Sequence, residues 1–190
     1  MLRASGYPHV FNRTVISLVS LKSAAPRVTA VWHLDHDMKP GSPIVYTAGN
    51  KSVYPWGIDG KGRLVTRIDD PDADGKQIPV VWENRAEFTA LEMGAYRQAG
   101  VISVSGNHIA SSLSMDRGSR TAIARWTNGT MEAYDAGAPV HSHQVNASGD
   151  IVRWIQRQTF APPTAILWRA REKRPCDLIE LVEEIGRAHV

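Results

Sequence analysis

Over the first eighty or so positions the apolar residues come in short, β-branched runs that stop at Gly, Pro, Asn or Asp, which is the pattern of strands rather than helices. Strands are read at 14–21, 27–35, 43–48, 52–56, 63–68 and 79–82. In the second of these Val28, Ala30, Trp32 and Leu34 alternate with Thr29, Val31, His33 and Asp35, so an apolar side opposes a partly polar one. Lys39-Pro40-Gly41, Ala48-Gly49-Asn50, Asp59-Gly60-Lys61-Gly62 and Asp74-Gly75 supply the turns between them.

The pattern changes at Glu83–Ala99, where Phe88, Leu91, Ala95 and Tyr96 fall near helical spacing, with acidic residues early and Gly100 as the stop. This segment is read as a helix. Val101–Ser105 and His108–Leu113 form a hairpin around Gly106-Asn107, and Arg120–Trp126 and Thr130–Asp135 form another around Asn128-Gly129. Ile151, Val152, Trp154 and Ile155 suggest a second helix capped by Ser148 or Asp150 and running through Thr159. Thr164–Trp168 is a strand, and Asp177 caps a last helix to about Glu183. Hairpins dominate and βαβ alternation is absent, so the expected fold is α+β, with mainly antiparallel sheet and two to three helices. No repeat of 20 to 50 residues is visible. Gly62-Arg63-Leu64 followed by Asp70-Pro71 resembles one unit of the tyrosine-aspartate repeat proteins, but one copy builds no solenoid.

The last seven residues, Glu184–Val190 (EIGRAHV), read back as GAG ATC GGA AGA GCA CAC GTC, the in-frame start of a widely used sequencing-library adaptor. Residues 184–190 are therefore expected to be a non-native tail on a C-terminally truncated chain, leaving a single domain over 1–183.

Composition narrows the classes. In 190 residues, 43% hydrophobic and 22% charged, the average profile excludes collagen-like, disulfide-dense and disordered chains. The longest apolar stretches are far too short to span a membrane. Thr14–Ala25 resembles a signal peptide, but Ser17 and Ser20 interrupt it and Lys22 sits at the would-be cleavage region, so a first strand and a cytoplasmic location are expected. A lone Cys176 rules out an internal disulfide and any CxxC motif, and reads as a small apolar residue at a helix start. Asn12, Asn50, Asn128 and Asn146 head N-x-S/T triplets that are explained by turn chemistry. The net charge of +3 is a mild basic bias that permits nucleic acid without requiring it.

Four segments carry candidate chemistry. Trp32-His33-Leu34-Asp35-His36-Asp37 gathers two imidazoles and two carboxylates at a strand end, with His33 and Asp35 sent to one side by the strand period. His141-Ser142-His143 repeats that geometry and resembles the HxH of cupin-like barrels, although Gln144 to Ser148 lack the Glu ligand of that family. If His33, Asp35, His141 and His143 converge, they hold a divalent Zn, Mn or Fe whose bound water attacks an ester, amide or phosphoester. His33 and Asp35 would then be the catalytic pair, and His36 and Asp37 would orient them. Asp70, Asp72 and Asp74, followed by Gly75, match the DxDxDG start of a calcium loop, but Val81 occupies the twelfth position. The serines between Ser103 and Ser119 lack a GxSxG elbow and read as the wet face of a hairpin. The resulting expectation is a small soluble enzyme, a metal-assisted hydrolase of a small molecule. The alternative is a binding or assembly module that contacts nucleic acid or protein through Trp56, Arg63, Arg67 and the Arg169–Arg174 stretch, with Tyr54 and Trp56 as a stacking platform.

Overall fold

The computed structural model describes residues 3–4, 9–20, 26–70, 75–115, 122–156 and 162–188, and it is almost entirely antiparallel β-sheet. The chain divides into two compact units, Met1–Leu91 and Glu92–Val190. Each contains two successive antiparallel meanders, the first of them with five strands and the other three with four. In the first unit β3 (Thr14–Ser20) has β1 (Arg3–Ala4) and β2 (His9–Phe11) along one edge and β4 (Arg27–His33) on the other, followed by β5 (Ile44–Tyr46). The second meander runs β6 (Ser52–Ile58), β7 (Leu64–Asp70), β8 (Lys76–Trp82) and β9 (Phe88–Ala90), each paired with the next.

The second unit repeats the plan with β10 (Gln98–Ser105), β11 (His108–Ser114), β12 (Ala122–Thr127) and β13 (Thr130–Asp135). Then come β14 (Val140–Val145), β15 (Ile151–Ile155), β16 (Thr164–Trp168) and β17 (Cys176–Asp177). The single helix among the described residues, α1 (Leu178–Ala188), follows directly, with the Ile179 N–H donating to Asp177 Oδ1 at 2.8 Å as its cap.

Each unit seals a core between its two meanders, and the first unit has a second, smaller cluster of Val19, Val28 and Ala30. In the first, Ile16 and Val31 of the leading meander meet Val53, Leu64, Ile68, Val80 and Trp82 of the second. Trp82 is 1% exposed, its indole N–H donates to Thr66 Oγ1 at 2.8 Å, and Tyr46 and Phe88 stack on it at 5.2 and 4.9 Å. In the second unit Ala110 and Ile123 meet Val140, Val145, Ile151, Ile155, Ile166 and Trp168. No helix among the described residues is long and apolar enough to cross a membrane.

The α+β expectation is therefore corrected to an all-β architecture, and two predicted helices are strands and turns. Glu83–Ala99 fails as a helix because Asn84 Oδ1 captures the N–H groups of Ala86 and Glu87 at 2.9 and 3.0 Å. Phe88–Ala90 then pairs with Trp82–Val80. Gly94 at φ +56° bends the chain once more. Ile151–Ile155 fails for a different reason. Its burial alternates strictly, Ile151, Arg153 and Ile155 inward and Val152 and Trp154 outward, and Arg153 is only 2% exposed. An arginine assigned to solvent breaks the two-residue period and leaves a false helical one.

The meanders also contain a repeat that the sequence hides. Three hairpins close with the same five-residue loop, Asp35–Lys39, Asp59–Arg63 and Asn146–Asp150. In each, the first residue exchanges backbone bonds with the fourth and fifth, and its side-chain Oδ1 accepts the N–H groups of the third and fifth at 2.8–3.0 Å. The fourth residue has positive φ: Met38 at 62°, Gly62 at 79° and Gly149 at 86°. This is a three-residue hairpin turn closed by a bulge residue of positive φ and locked by an Asx side chain. A Cβ on Gly62 meets nothing within 4 Å, whereas one on Gly149 comes within 2.8 Å of the His108 ring. Gly62→Ala should cost about 1 kcal/mol for backbone strain alone, and Gly149→Ala about 2 kcal/mol because a ring must also move. Equal urea-denaturation losses would contradict that ordering.

Candidate functional site

Asp35 is spent on its own loop. Its Oδ1 accepts from Asp37 N–H at 2.9 Å and Lys39 N–H at 2.8 Å. His33 ends β4 exposed, its Nδ1 3.3 Å from Thr14 Oγ1. His36 Nε2 lies 3.1 Å from Asp37 Oδ1 with both side chains in water, a pair of small energetic weight. His33 and Asp35 belong to the first unit, His141 and His143 to the second. The side chains of His141 and His143 lie outside the described residues, but their backbone is placed. A bulge falls between them, so His141 pairs with Trp154 and His143 with the adjacent Arg153. That bulge interrupts the two-residue period on which a same-side HxH depends. Among the described residues no group of three or more His, Cys, Asp or Glu is arranged to hold a metal.

Asp72 and Asp74 of the calcium-loop candidate lie outside the described residues. Asp70, at its head, is a strand residue whose Oδ2 receives Lys51 Nζ at 2.6 Å. Three of the serines read as a wet face are buried instead: Ser111 and Ser114 are 0% exposed and Ser112 1%, and Ser111 donates to the Ser112 carbonyl, while Ser103 and Ser105 are half-buried and Ser119 lies outside the described residues. β11 is covered on both sides, so small polar residues serve there as filler that packs closely.

Of the three binding candidates, two come together. Arg67 is clamped by Asp69 at 2.7 and 3.3 Å, and its guanidinium lies 4.6 Å from the Tyr54 ring centre and 5.7 Å from that of Trp56. Arg27 approaches the same Tyr54 ring at 5.9 Å. Trp56 Nε1 is buried with no hydrogen-bond partner. These contacts make a half-buried guanidinium–aromatic stack whose cation is held in place by a carboxylate. Arg63 stands apart, its fork consumed by Asp59 at 2.8–2.9 Å and by Glu83 at 2.7 Å.

Sequence reasoning passed over the residues that organise the other end of the second unit. Arg125, 2% exposed, donates to the carbonyls of Gly149 at 2.8 Å and Ala170 at 3.2 Å, pairs with Glu132, and lies 4.7 Å from the centre of the Trp168 ring. Asp150 Oδ1 accepts from Ala170 N–H at 2.8 Å and Oδ2 from Asn146 Nδ2 at 3.0 Å, and these bonds hold its carboxyl below the ordinary value of 3.8. The Asx-x-x-Gly spacing of Asp59…Gly62 and Asn146…Gly149 was the available signal for the loops, and nothing in the local pattern signalled the buried arginine.

No protein-family model and no curated protein matches the chain. Solved structures do match. The crystal structure of puromycin hydrolase superposes with a TM-score of 0.71 at 10% identity, over 90% of this chain and 28% of that one. A structure from a study of two prolyl endopeptidases gives 0.65 at 14% identity, over 92% of this chain and 29% of that one. A puromycin-hydrolyzing peptidase of Mycobacterium tuberculosis gives 0.62 at 15% identity, over 94% and 28%. At such identities the likeness shows the fold alone. The fold resembles the β-propeller domain of prolyl oligopeptidase-like proteins, an architecture of successive four-stranded blades. The chain spans a little over a quarter of the length of these hydrolases.

Proposed function

We propose that this chain is propeller sheet from a peptidase-like hydrolase that cleaves amide bonds in small molecules or short peptides. In this reading it shapes the approach to a reacting centre whose nucleophile lies outside residues 1–190. The observation that carries the reading is the run of antiparallel meanders matched across 90% of the chain by a puromycin hydrolase. The serines support it: Ser111, Ser112 and Ser114 are buried, Ser103 Oγ accepts the Val145 N–H, and His108 Nδ1 lies 3.0 Å from Thr127 Oγ1 rather than beside a serine.

A fluorophosphonate probe, which modifies activated serines, tests this directly. The 190-residue chain should take up no label. A longer natural protein containing it should be labelled at a serine beyond these residues and hydrolyse aminoacyl arylamides, both activities falling together when that serine is replaced. An adduct on Ser103, Ser105, Ser111, Ser112 or Ser114 would sink the proposal, as would a longer protein that neither labels nor hydrolyses.

A further inference from the structure

In the second unit an open cleft of about 570 Å³ lies between the β14–β15 loop and the segment after β16, lined by Ser148, Asp150, Arg169, Ala170, Arg171 and Glu172. Its two walls are tied together from beneath. Arg125 bonds the carbonyl of Gly149 on one side and of Ala170 on the other, and Asp150 accepts the Ala170 N–H across the same gap. The cleft is therefore shaped before any ligand arrives, which removes an ordering cost from binding.

The lining carries both signs of charge. Arg171 is exposed, and among the described residues no hydrogen bond or ion pair engages it. Arg169 shares one guanidinium N–H with Glu172 Oε1 at 2.9 Å, leaving its other donors open. The Ser148 backbone N–H is used within its loop, while its hydroxyl is uncommitted. Asp150 and Glu172 line the same space: both Asp150 oxygens already accept from Ala170 N–H and Asn146 Nδ2, while Glu172 Oε1 receives Arg169 and among the described residues nothing engages its Oε2. A phosphate dianion would meet Arg171 but also two carboxylates, and a simple cation would meet two arginines. A ligand with one charge of each sign pairs with both sets, and a volume of this size suits a small molecule.

We propose that this cleft binds free short peptides by both termini, the carboxylate on Arg171 and the Ser148 hydroxyl, the ammonium on Glu172, with the Asp150 carboxylate adding negative charge beside it. The inference stands apart from the hydrolase reading, because it concerns binding to this chain and involves no turnover. Glycyl-alanine titrated into the chain should shift the amide resonances of Ser148, Ala170 and Glu172. Acetylating its amine or amidating its carboxylate should each weaken binding about tenfold. Arg171→Gln should weaken the free and acetylated peptides to a similar degree yet leave the amidated one unchanged, with an unaltered melting temperature because Arg171 is exposed. Inorganic phosphate that competes as well as the dipeptide would overturn the assignment. So would equal binding of the blocked peptides, or titration without shifts at those three amides.

Discussion

Arg125→Ala is expected to lower the unfolding free energy by about 4 kcal/mol. Three losses combine. The carbonyls of Gly149 and Ala170 lose their donor, the guanidinium no longer covers Trp168, and a side chain 2% exposed leaves a hole. Glu132 is 58% exposed and returns to water when Arg125 is removed, so its own loss of a partner adds little. Glu132→Ala, by contrast, leaves the buried guanidinium with carbonyl partners but no counter-charge and should cost about 2 kcal/mol, and Arg125→Lys should recover only part of the loss since an ammonium cannot reach both carbonyls. Urea denaturation of the three variants checks the ordering. A loss at Glu132 equal to that at Arg125 would show that the ion pair, not the carbonyl fork, holds the two loops together.

Asp59→Ala should cost about 3 kcal/mol, while Asp35→Ala, at the matching position of a matching loop, should cost about 1 kcal/mol. Both carboxylates accept two backbone N–H groups. Asp59 is 7% exposed and also holds Arg63 Nε at 2.9 Å, so its removal leaves two buried amides without an acceptor and takes from Arg63 one of its two carboxylate partners, Glu83 remaining. Asp35 is exposed, and water replaces its carboxylate at the freed amides. If Asp35→Ala left stability untouched, the loop bonds would not be what Asp35 contributes to this hairpin.

The hairpins around Gly106-Asn107 and Asn128-Gly129 were legible because two-residue turns with positive φ are written in local residue chemistry. So were the strands between Thr14 and Trp82 and the Asp177-capped helix, since period and capping act over a few residues. The meander repeat was not legible. It rests on a shared hydrogen-bond pattern that Asp-His-Asp-Met-Lys, Asp-Gly-Lys-Gly-Arg and Asn-Ala-Ser-Gly-Asp each satisfy with different letters. The candidate site divides in the same way. Aromatic and arginine residues at 54, 56 and 67 suggested a platform, and register brings them together because Tyr54 faces Arg67 across neighbouring strands.

What the sequence by itself determined was the local vocabulary: where strands run, which dipeptides turn, and that the pairing is antiparallel. Only the tertiary structure decided that Arg125 and Arg153 are interior, that Phe88 belongs to an edge strand, and that Asp35 is bound to its own backbone. The reason is that periodicity arguments assign charged side chains to solvent by default. A neighbouring sheet that supplies carbonyls and an aromatic face reverses that cost, and its residues lie tens of positions away in the chain.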